Sequence, residues 1–490
     1  MLLVMGVTLY TSRVVLHVLG VNDFGLYQVV GGVVSMLAFV NGALSTGTSR
    51  FLTFELGQGN SERLKRTFCT MLNGHIALGL LVVLIAETAG LWFVKNKLSI
   101  PLDRMDAAVF AYHLSVLTVF FTLTQVPYTA SIISHERMKI YAYVSIIEVI
   151  LKLGIVYLLK LNDAGWDQLK LYAGLLCGVQ ISIALFYRGY CTKHFIETHY
   201  HWIWDKEIFK PVFQFSGWSL FAQISIALNS QGIIIITNMF FGPAVVTARA
   251  IAVQVNMAAM QFINNFRTAV NPQIVKKLAA NDEKGSHQLL LQSTKFSYFL
   301  MLLLALPIIL GAKKILSIWL GIVPDYAVIF LQLIIVQSLF SVFDTSFYTA
   351  LYAKGRLKEN ALTSPMTGFI TFPVVYILFK LGFSPLVLSY AGIIQYALLG
   401  CVIKPILIHK IAGYAYKDII SVFIPCIRIT LLALIIPLTF KFLLPDTNLT
   451  FVVNTIISII SVGISVYLFG IDTETKMKIK KIILKKVLKK

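Results

Sequence analysis

Long apolar segments recur from one end of the chain to the other, and they constrain its fold more than any other feature. The chain has 490 residues, of which 57% are hydrophobic and only 13% are charged. A membrane-spanning helix needs about 20 consecutive, mostly apolar residues. Runs of this length, bounded by charged or turn residues, predict about fourteen spans. They lie near residues 1-19, 25-54, 69-94, 107-133, 140-160, 168-188, 212-240, 244-270, 295-313, 325-352, 360-381, 384-408, 419-443 and 449-470.

The predicted fold class is therefore an all-α polytopic membrane protein. No hydrophilic block is long enough to form a soluble domain, and the apolar runs lack the short alternating pattern of outer-membrane barrel strands. The sequence has no GxxxxGK[ST] phosphate loop, no HExxH zinc helix, no GxSxG elbow and no cluster of catalytic carboxylates. We predict that the chain is not an enzyme and uses no cofactor.

Lysine and arginine are unevenly distributed between the loops that join the spans. The formal net charge is +20, and most of the excess lies in alternate loops, which the positive-inside rule assigns to the cytoplasm. With an even number of spans, both termini are then cytoplasmic. This distribution predicts contact with anionic membrane lipids and no binding of nucleic acid. Five basic residues depart from the rule: Lys95, Lys97, Arg104, Lys313 and Lys314.

One predicted span, within residues 247-273, carries many polar side chains. At about 100° per residue, five of them fall within a sector of roughly 80° on one face of the helix. Arginine near the middle of a membrane costs about 2.5 to 3.5 kcal/mol, so this polar stripe predicts a hydrated cavity that binds an anion. The alternative is hydrogen bonding between helices. The residues of the stripe are Arg249, Asn256, Asn264, Arg267 and Asn271.

Two more arginines and an acid lie in the first two predicted spans. Arg13 is in the first, and Arg50 and Glu55 are toward the predicted cytoplasmic end of the second. Together with the arginines of the stripe, they give more positive charge than one glutamate neutralises. A guanidinium group binds phosphate oxygens in a bidentate manner and stays charged, so the surplus favours a pyrophosphate ligand.

The remaining charges inside predicted spans have two interpretations each. Glu148 and Lys152 lie four residues apart in the order that favours an ion pair on one helix face. They are either such a structural pair or an ion-coupling site, for which Glu55 is another candidate. Glu87 and Asp344 are isolated acids, interpreted either as proton or sodium sites or as hydrogen-bond partners of a neighbouring helix.

Two parts of the chain resemble each other. FVNG at 39-42 recurs as FINN at 262-265, and LG at 19-20 recurs as FG at 241-242. Six predicted spans separate the copies, so both halves have the same orientation and are related by an axis along the membrane normal. Such an arrangement predicts a substrate cavity between two lobes.

Two cytoplasmic segments are predicted to lie at the membrane surface. The linker at 191-211 contains Cys191 and three nearby histidines, but their spacing matches no standard zinc pattern, and we predict no metal site. Its aromatic residues favour an interfacial location. The tail at 476-490 alternates lysine with apolar residues at near-helical spacing, which predicts a basic amphipathic segment on the inner leaflet.

Five short motifs keep their order across both halves of the chain. They are LGVNDFGLYQVVGG at 19-32, RFLTFELGQGN at 50-60, FSGWSLF at 215-221, FFGPAV at 240-245 and NPQI at 271-274. In these motifs the chain resembles the bacterial polysaccharide flippases of the Wzx type. Those proteins belong to the multidrug/oligosaccharidyl-lipid/polysaccharide (MOP) exporter superfamily, with the MurJ lipid II flippases and the MATE transporters.

The resemblance implies two six-helix lobes that form a V-shaped central cavity, followed by two further helices. We therefore expect an N-lobe over 1-190, the linker at 191-211, a C-lobe over 212-410 and the last two helices within 411-475. By position, four arginines match those that line the cavity on the first, second and eighth helices of similar flippases. They are Arg13, Arg50, Arg249 and Arg267.

The resemblance also implies the substrate and the cellular role. Such a protein lies in the bacterial cytoplasmic membrane and moves an undecaprenyl-pyrophosphate-linked oligosaccharide from the cytoplasmic to the periplasmic leaflet by alternating access. The product serves the synthesis of O-antigen, capsule or exopolysaccharide, in functional coupling with glycosyltransferases and a polysaccharide polymerase.

Three other functions are alternatives to this one. A MATE-like, cation-coupled exporter of small molecules or drugs is the main alternative, which a surplus of acids in the cavity would favour. A membrane-bound glycan polymerase or ligase would need a large periplasmic loop, and the predicted periplasmic loops are all short. A purely structural role leaves the polar stripe without an explanation.

Overall fold

The computed structural model describes residues 2–161, 165–445, 447–471 and 476, and every regular element in this part of the chain is a helix. The helices before residue 242 are α1 (Leu2–Leu37), α2 (Val40–Gln58), α3 (Ser61–Ile85), α4 (Leu91–Lys97), α5 (Met105–Ser134), α6 (Met138–Lys160), α7 (Gln168–His194), α8 (Lys206–Ala227) and α9 (Ile233–Phe241). Those after it are α10 (Pro243–Ala279), α11 (Glu283–Leu320), α12 (Ala327–Ala353), α13 (Leu357–Lys380), α14 (Val387–Leu398), α15 (Lys404–Ala412), α16 (Tyr416–Leu443) and α17 (Asn448–Ser465). The predicted all-α fold is confirmed. The tail predicted at 476-490 lies, apart from its first residue, outside the described part.

Twelve stretches of helix in the described part are long and apolar enough to cross a membrane, and the chain is a multi-pass membrane protein. The sequence predicts about fourteen spans, and the difference falls on the predicted second and fifth. The first half of the predicted second span is joined to the first span in α1, while the polar α2 carries the rest. Helix α6 carries Glu148 and Lys152 within its apolar sequence. The count of fourteen stays a prediction.

Glycine marks the kink in α1 and the turn between α9 and α10. Gly20 has φ 77° and ψ 172°, and Gly242 has φ 78° and ψ 179°. This region of backbone conformation is open almost only to glycine, because a Cβ atom would clash there. The two glycines are those of the LG and FG pairs in the predicted internal repeat. The repeat therefore has the same local backbone at the corresponding position of both copies.

The chain divides into two compact units. Unit 1 comprises Met1–Ala250 and Gly368–Pro385, and unit 2 comprises Ile251–Thr367 and Leu386–Lys490. Both α10 and α13 contribute residues to each unit, because the division falls within these helices. The lobe boundaries expected from the sequence stay a prediction.

In unit 1, α5 packs against α1, α2, α3 and α7. The rings of Phe68 on α3 and Tyr128 on α5 meet edge to face, with their centroids 5.2 Å apart. Leu52, Ile132 and Cys191 are buried in the same cluster. Large aromatic and aliphatic side chains at these positions join four helices into one core.

The segment predicted as a surface linker, 191-211, is held against one end of α3. The Asn73 amide donates to the carbonyl oxygen of Ile203 at 2.8 Å, and its oxygen accepts from the Tyr200 hydroxyl at 2.8 Å. Arg66 forms an ion pair with Asp205 at 2.7 Å. In the described residues no three His, Cys, Asp or Glu side chains come together as a metal site requires. The linker is thus fixed by hydrogen bonds and an ion pair to side chains of α3.

In unit 2, α11 packs against α12, α16 and α17, and α12 also contacts α14 and α15. The rings of Tyr298 and Phe343 stack with centroids 5.0 Å apart. The Tyr298 hydroxyl is hydrogen bonded to the Thr430 hydroxyl at 2.9 Å. An aromatic side chain buried in this way keeps its polar end paired while its ring fills the core.

Candidate functional site

The predicted polar stripe lies on α10 and is shared by the two units: Arg249 belongs to unit 1, and the other four residues belong to unit 2. In unit 2, Asn256 accepts a hydrogen bond from the Ser338 hydroxyl of α12 at 2.6 Å. Asn264 differs, because its side chain is exposed and has no hydrogen bond to another helix among the described residues. Its backbone carbonyl accepts from the Thr268 hydroxyl, within α10, at 2.8 Å. The stripe is therefore not uniform along the helix.

The second part of the stripe also bonds to α12. Arg267 donates to the carbonyl oxygen of Thr345 and, at 3.1 Å, to the Thr349 hydroxyl. Asn271 accepts from the same Thr349 hydroxyl at 3.3 Å. These are the interhelical hydrogen bonds of the alternative interpretation of the stripe. A ligand-binding role for Arg267 and Asn271 stays a prediction.

Unit 2 buries an ion pair close to Arg267. The Lys404 ammonium lies 3.3 Å from a carboxylate oxygen of Asp344, and the two side chains are 1% and 15% exposed. Lys404 also donates to the side-chain oxygen of Asn360, and its nitrogen lies 5.6 Å from the centre of the Tyr348 ring. Asp344 is near enough to Arg267 to attract it electrostatically. One carboxylate of unit 2 thus pairs with Lys404 and also attracts Arg267.

Sequence reasoning treats Asp344 and Glu87 as isolated acids and passes over Lys404. In the structure, Asp344 pairs with Lys404 and Glu87 lies 2.8 Å from a ring nitrogen of His113. Both geometries favour the interpretation as partners of a neighbouring helix. The signal for Lys404 was the single lysine in the apolar run LGCVIKPILI at 399-408, because a charge in such a run requires a buried partner.

The acids named as possible coupling residues also have basic partners. Glu55, with 5% of its side chain exposed, lies 3.1 Å from Nε of Arg63. Glu148 and Lys152 lie 2.6 Å apart on the exposed side of α6. The geometry favours a structural ion pair for Glu148 and Lys152, and a coupling role for either acid stays a prediction.

The three predicted site arginines of unit 1 lie in different surroundings. Arg13 on α1 and Arg50 on α2 are exposed. Arg249 on α10 is half buried, and its Nε is fully buried without a hydrogen-bond partner among the described residues. A buried N–H group that lacks an acceptor costs about 1 to 3 kcal/mol, and more when the group is charged. Arg249 is thus the predicted site residue whose hydrogen-bonding capacity is left open.

Arg104, which departs from the positive-inside rule, is neutralised within unit 1. It donates to Asp23 at 2.9 Å and to Asp167 at 2.6 Å. Asp167 is also the N-cap of α7 and accepts from the backbone N–H groups of Leu169 and Lys170 at 3.0 and 3.1 Å. Burial alone would raise the pKa of Asp167, but Arg104 and the two N–H groups together hold it below its usual value.

The start of α10 is hydrogen bonded to α1 within unit 1, close in sequence to Asp23. The Thr247 hydroxyl donates to the carbonyl oxygen of Val21 at 2.6 Å. Gly25 faces the Pro243 carbonyl, where a Cβ atom on Gly25 would lie only 2.1 Å from the oxygen. The repeat-related turns at Gly20 and Gly242 are therefore followed by helices that pack closely against each other.

Unit 1 also contains an apolar cavity of about 650 Å³. Its walls come from α1, α3, α4, α8, α9, α13 and two π-helical turns, Ala86–Gly90 and Leu228–Gly232. The lining is apolar apart from one tyrosine and includes Val33, Phe93 and Phe372. None of the predicted site arginines lines it. This cavity is suited to hydrocarbon and not to an anion.

Solved structures with this fold are known. The lipid II flippase MurJ in an inward closed conformation matches with a TM-score of 0.71 at 14% identity, over 96% of this chain and 99% of its own. A multidrug resistance MATE family transporter of the MOP superfamily, in an inward-facing conformation, matches with a TM-score of 0.67 at 14% identity, over 84% of this chain and 96% of its own. A MOP superfamily transporter from Pyrococcus furiosus has a TM-score of 0.55 at 12% identity, over 84% and 96%.

No model of a protein family matches the sequence, and no curated protein matches it. Sequence identities this low support an inference about the fold but not about the ligand, because proteins with one fold have many different binding sites. The chain is an all-helical, multi-pass membrane protein with the fold of the MOP superfamily transporters.

Proposed function

We propose that the chain is a flippase of the bacterial cytoplasmic membrane, with both termini in the cytoplasm. It moves an undecaprenyl-pyrophosphate-linked oligosaccharide from the cytoplasmic to the periplasmic leaflet for the synthesis of O-antigen, capsule or exopolysaccharide. It acts together with the glycosyltransferases and the polymerase of that synthesis. The fold likeness to a lipid II flippase and the Wzx-like motifs support this proposal.

The observation that carries the proposal is the unpaired Nε of Arg249. Arginine inside a membrane helix is costly unless its charge and its N–H groups are compensated. Here the described protein groups leave the buried Nε without an acceptor. The oxygens of a pyrophosphate would provide both the negative charge and the acceptors, in the planar geometry that a guanidinium group matches.

The mechanism that follows is alternating access. An inward-open state takes the pyrophosphate against Arg249 and the exposed Arg13 and Arg50, while the prenyl chain stays in lipid. The sugar remains hydrated in a central cavity and does not cross hydrocarbon. Rocking to an outward-open state then releases the head group on the other side. Because the sequence has no phosphate-binding loop for ATP, a gradient or consumption of the product drives the cycle.

A cation-coupled exporter of small molecules is the second candidate function, because the fold is also that of a MATE transporter. Such a protein needs a carboxylate that is free to bind the cation. The acids Glu55, Glu148 and Asp344 each lie beside a basic side chain. Their negative charge is already compensated, so these pairs weigh against the second candidate.

The test is translocation of fluorescent undecaprenyl-pyrophosphoryl oligosaccharides by the full chain in proteoliposomes. A small panel of glycans is needed, because the specificity for the sugar is not set by the residues discussed. We expect Arg249→Ala to reduce the flipping rate at least about tenfold, because it removes one charge-assisted contact to the phosphate. Arg249→Lys should restore part of the lost rate, because lysine keeps the charge but not the planar guanidinium group. Arg267→Ala is compared alongside.

Arg428→Ala is the matched control, because Arg428 is also an arginine in a membrane helix. It is exposed on α16 and stacks on the ring of Phe469 at 4.2 Å, so its loss should leave flipping unchanged. Equal flipping rates for the wild type and Arg249→Ala would show that the polar stripe serves helix packing and does not bind the substrate. No flipping of any lipid-linked glycan, together with efflux of a cationic dye, would establish the second candidate instead.

A further inference from the structure

Lys313 and Lys314 lie near the end of α11, on the side that the charge pattern places outside the cytoplasm. Arg104 departs from the same rule but has two carboxylate partners. Neither lysine has an ion-pair partner among the described residues of unit 2. Their position therefore calls for another explanation than internal charge pairing.

The two lysines line a cavity of about 280 Å³ among α11, α12, α16 and α17. Lys441, near the end of α16, contributes a third ammonium group to it. A neighbouring cavity of about 530 Å³ shares Lys313 and Lys314. Its lining contains Asp325, the one carboxylate found among the described residues around the two cavities. We call the first cavity the lysine pocket, defined by Lys313, Lys314, Gln332, Lys441 and Asn454.

Polar groups in the lysine pocket are positioned by the backbone of α11. Lys441 donates to the carbonyl oxygen of Leu310 at 2.7 Å, and Gln332 donates to that of Ile309 at 2.9 Å. The side-chain oxygen of Asn454 is buried without a partner among the described residues. The pocket thus combines three cations with amide and hydroxyl groups, and the ammonium groups of Lys313 and Lys314 have no ion-pair partner among the described residues.

This set of groups fits a phosphate. A phosphate accepts hydrogen bonds from ammonium, amide and hydroxyl donors and carries the negative charge that three lysines attract. A carboxylate of the protein would satisfy the same groups, but Asp325 forms no ion pair within the described residues.

The position of the pocket indicates that the phosphate belongs to a lipid. It lies at the ends of α16 and α17, which expose long rows of apolar side chains such as Ile435, Ile456 and Ile460. Helices of this kind face the acyl chains, so their ends reach the layer of lipid head groups. Basic residues at that depth attract anionic lipid.

We propose that the lysine pocket binds the phosphate of an anionic phospholipid head group, whose acyl chains lie along α16 and α17. This site is separate from the arginines of the proposed transport function. Its occupancy can therefore be measured without any transport.

The experiment measures lipid bound to the purified full chain by native mass spectrometry. The probes are dioleoylphosphatidylglycerol and dioleoylphosphatidylcholine, which have the same acyl chains, and inorganic phosphate. We expect phosphatidylglycerol to bind more tightly than phosphatidylcholine. The variant Lys313→Gln/Lys314→Gln/Lys441→Gln should weaken its binding at least about tenfold, since each lysine near the surface contributes attraction to anionic lipid.

Lys95→Gln/Lys97→Gln is the matched control, because both lysines also depart from the positive-inside rule but line neither of the two cavities. It should retain the affinity of the wild type. Lys313→Gln/Lys314→Gln keeps the bond of Lys441 to Leu310 and should also weaken binding, and it decides the question if the triple variant does not fold. Unchanged binding in the double and the triple variant, or an equal loss in the control, would overturn the proposal. If inorganic phosphate binds as tightly as phosphatidylglycerol, the proposal that the bound phosphate belongs to a lipid is wrong.

Discussion

Asp344 on α12 and Lys404 at the start of α15 form an ion pair with 3.3 Å between the carboxylate oxygen and the ammonium nitrogen. The sequence separates them by 60 residues, and the neighbours of each along the chain provide no opposite charge. Paired, they join two helices of unit 2, with the Lys404 side chain 1% and the Asp344 side chain 15% exposed. This pairing favours a structural role for Asp344 over a proton or sodium site.

Removal of one member of this pair should be much more harmful than removal of both. We expect Lys404→Met or Asp344→Asn alone to lower the free energy of unfolding by about 3 to 5 kcal/mol, because the other charge is left buried. The double variant should recover most of this loss. Thermal unfolding in detergent provides the measurement, with the exposed Lys95→Met as a control. Additive effects of the two substitutions would show that the pair is not coupled.

Substitutions of Asn256 and Asn264 on α10 distinguish residues of the polar stripe that stabilise helix packing from residues that contact the substrate. We expect a double-mutant cycle of Asn256→Ala and Ser338→Ala to give a coupling energy of about 0.6 kcal/mol, the average for hydrogen bonds between membrane helices. Asn264→Ala is the matched control, since Asn264 is exposed, and its stability should equal that of the wild type. If Asn264→Ala nevertheless lowers the flipping rate, its side chain contacts the substrate and not a helix.

The contact between α1 and α10 should be intolerant of one methyl group. We expect Gly25→Ala to destabilise the protein by about 1 to 3 kcal/mol, because its Cβ would overlap the Pro243 carbonyl and force the helices apart. Gly31→Ala, on the same helix, meets no atom within 4 Å and should be neutral or slightly stabilising. Unfolding curves of the two variants provide the comparison, and equal stability would contradict the close approach.

The two repeat-related turns should respond alike to substitution. Gly20→Ala and Gly242→Ala each place a Cβ on a backbone with φ near +77°, which we expect to cost about 1 to 3 kcal/mol. No atom lies within 4 Å of a Cβ at Gly20, so its effect comes from the backbone alone. Gly154→Ala, also without a neighbour but with ordinary backbone, is the control. A stable Gly20→Ala variant would show that this turn relaxes to another conformation.

Acid should weaken the Asp23, Arg104 and Asp167 network in unit 1. The pKa of Asp167 is lowered in the folded protein, so its contribution to stability is present above the unfolded pKa of about 3.9 and is lost as pH falls through the folded value. We expect Asp167→Asn, which keeps a cap for α7, to be less stable than the wild type at neutral pH. The difference should shrink as the pH approaches 3. A difference that is independent of pH would mean that Arg104 does not stabilise the charged form.

Local patterns along the chain were sufficient for the class of fold. Apolar runs of membrane length predicted the helices, and the paired LG and FG turns located two glycines with the same backbone conformation. Lys404 was missed because its partners come from α12 and α13, and charge pairing across such a separation leaves no periodic trace. The pairing of Glu87 with His113, which lie on different helices 26 residues apart, could not be predicted for the same reason.

What the sequence by itself determined is that the chain is a polytopic helical membrane protein with a polar stripe on α10, since hydropathy and helical periodicity are properties of neighbouring residues. Only the tertiary structure decided how that stripe is used: Asn256, Arg267 and Asn271 bond to α12, and Arg249 keeps a buried Nε without a partner in the described part. The physical reason is that periodicity identifies the face of a helix but not what lies opposite to it. A buried polar group requires a partner, and the identity of that partner depends on which helices pack together.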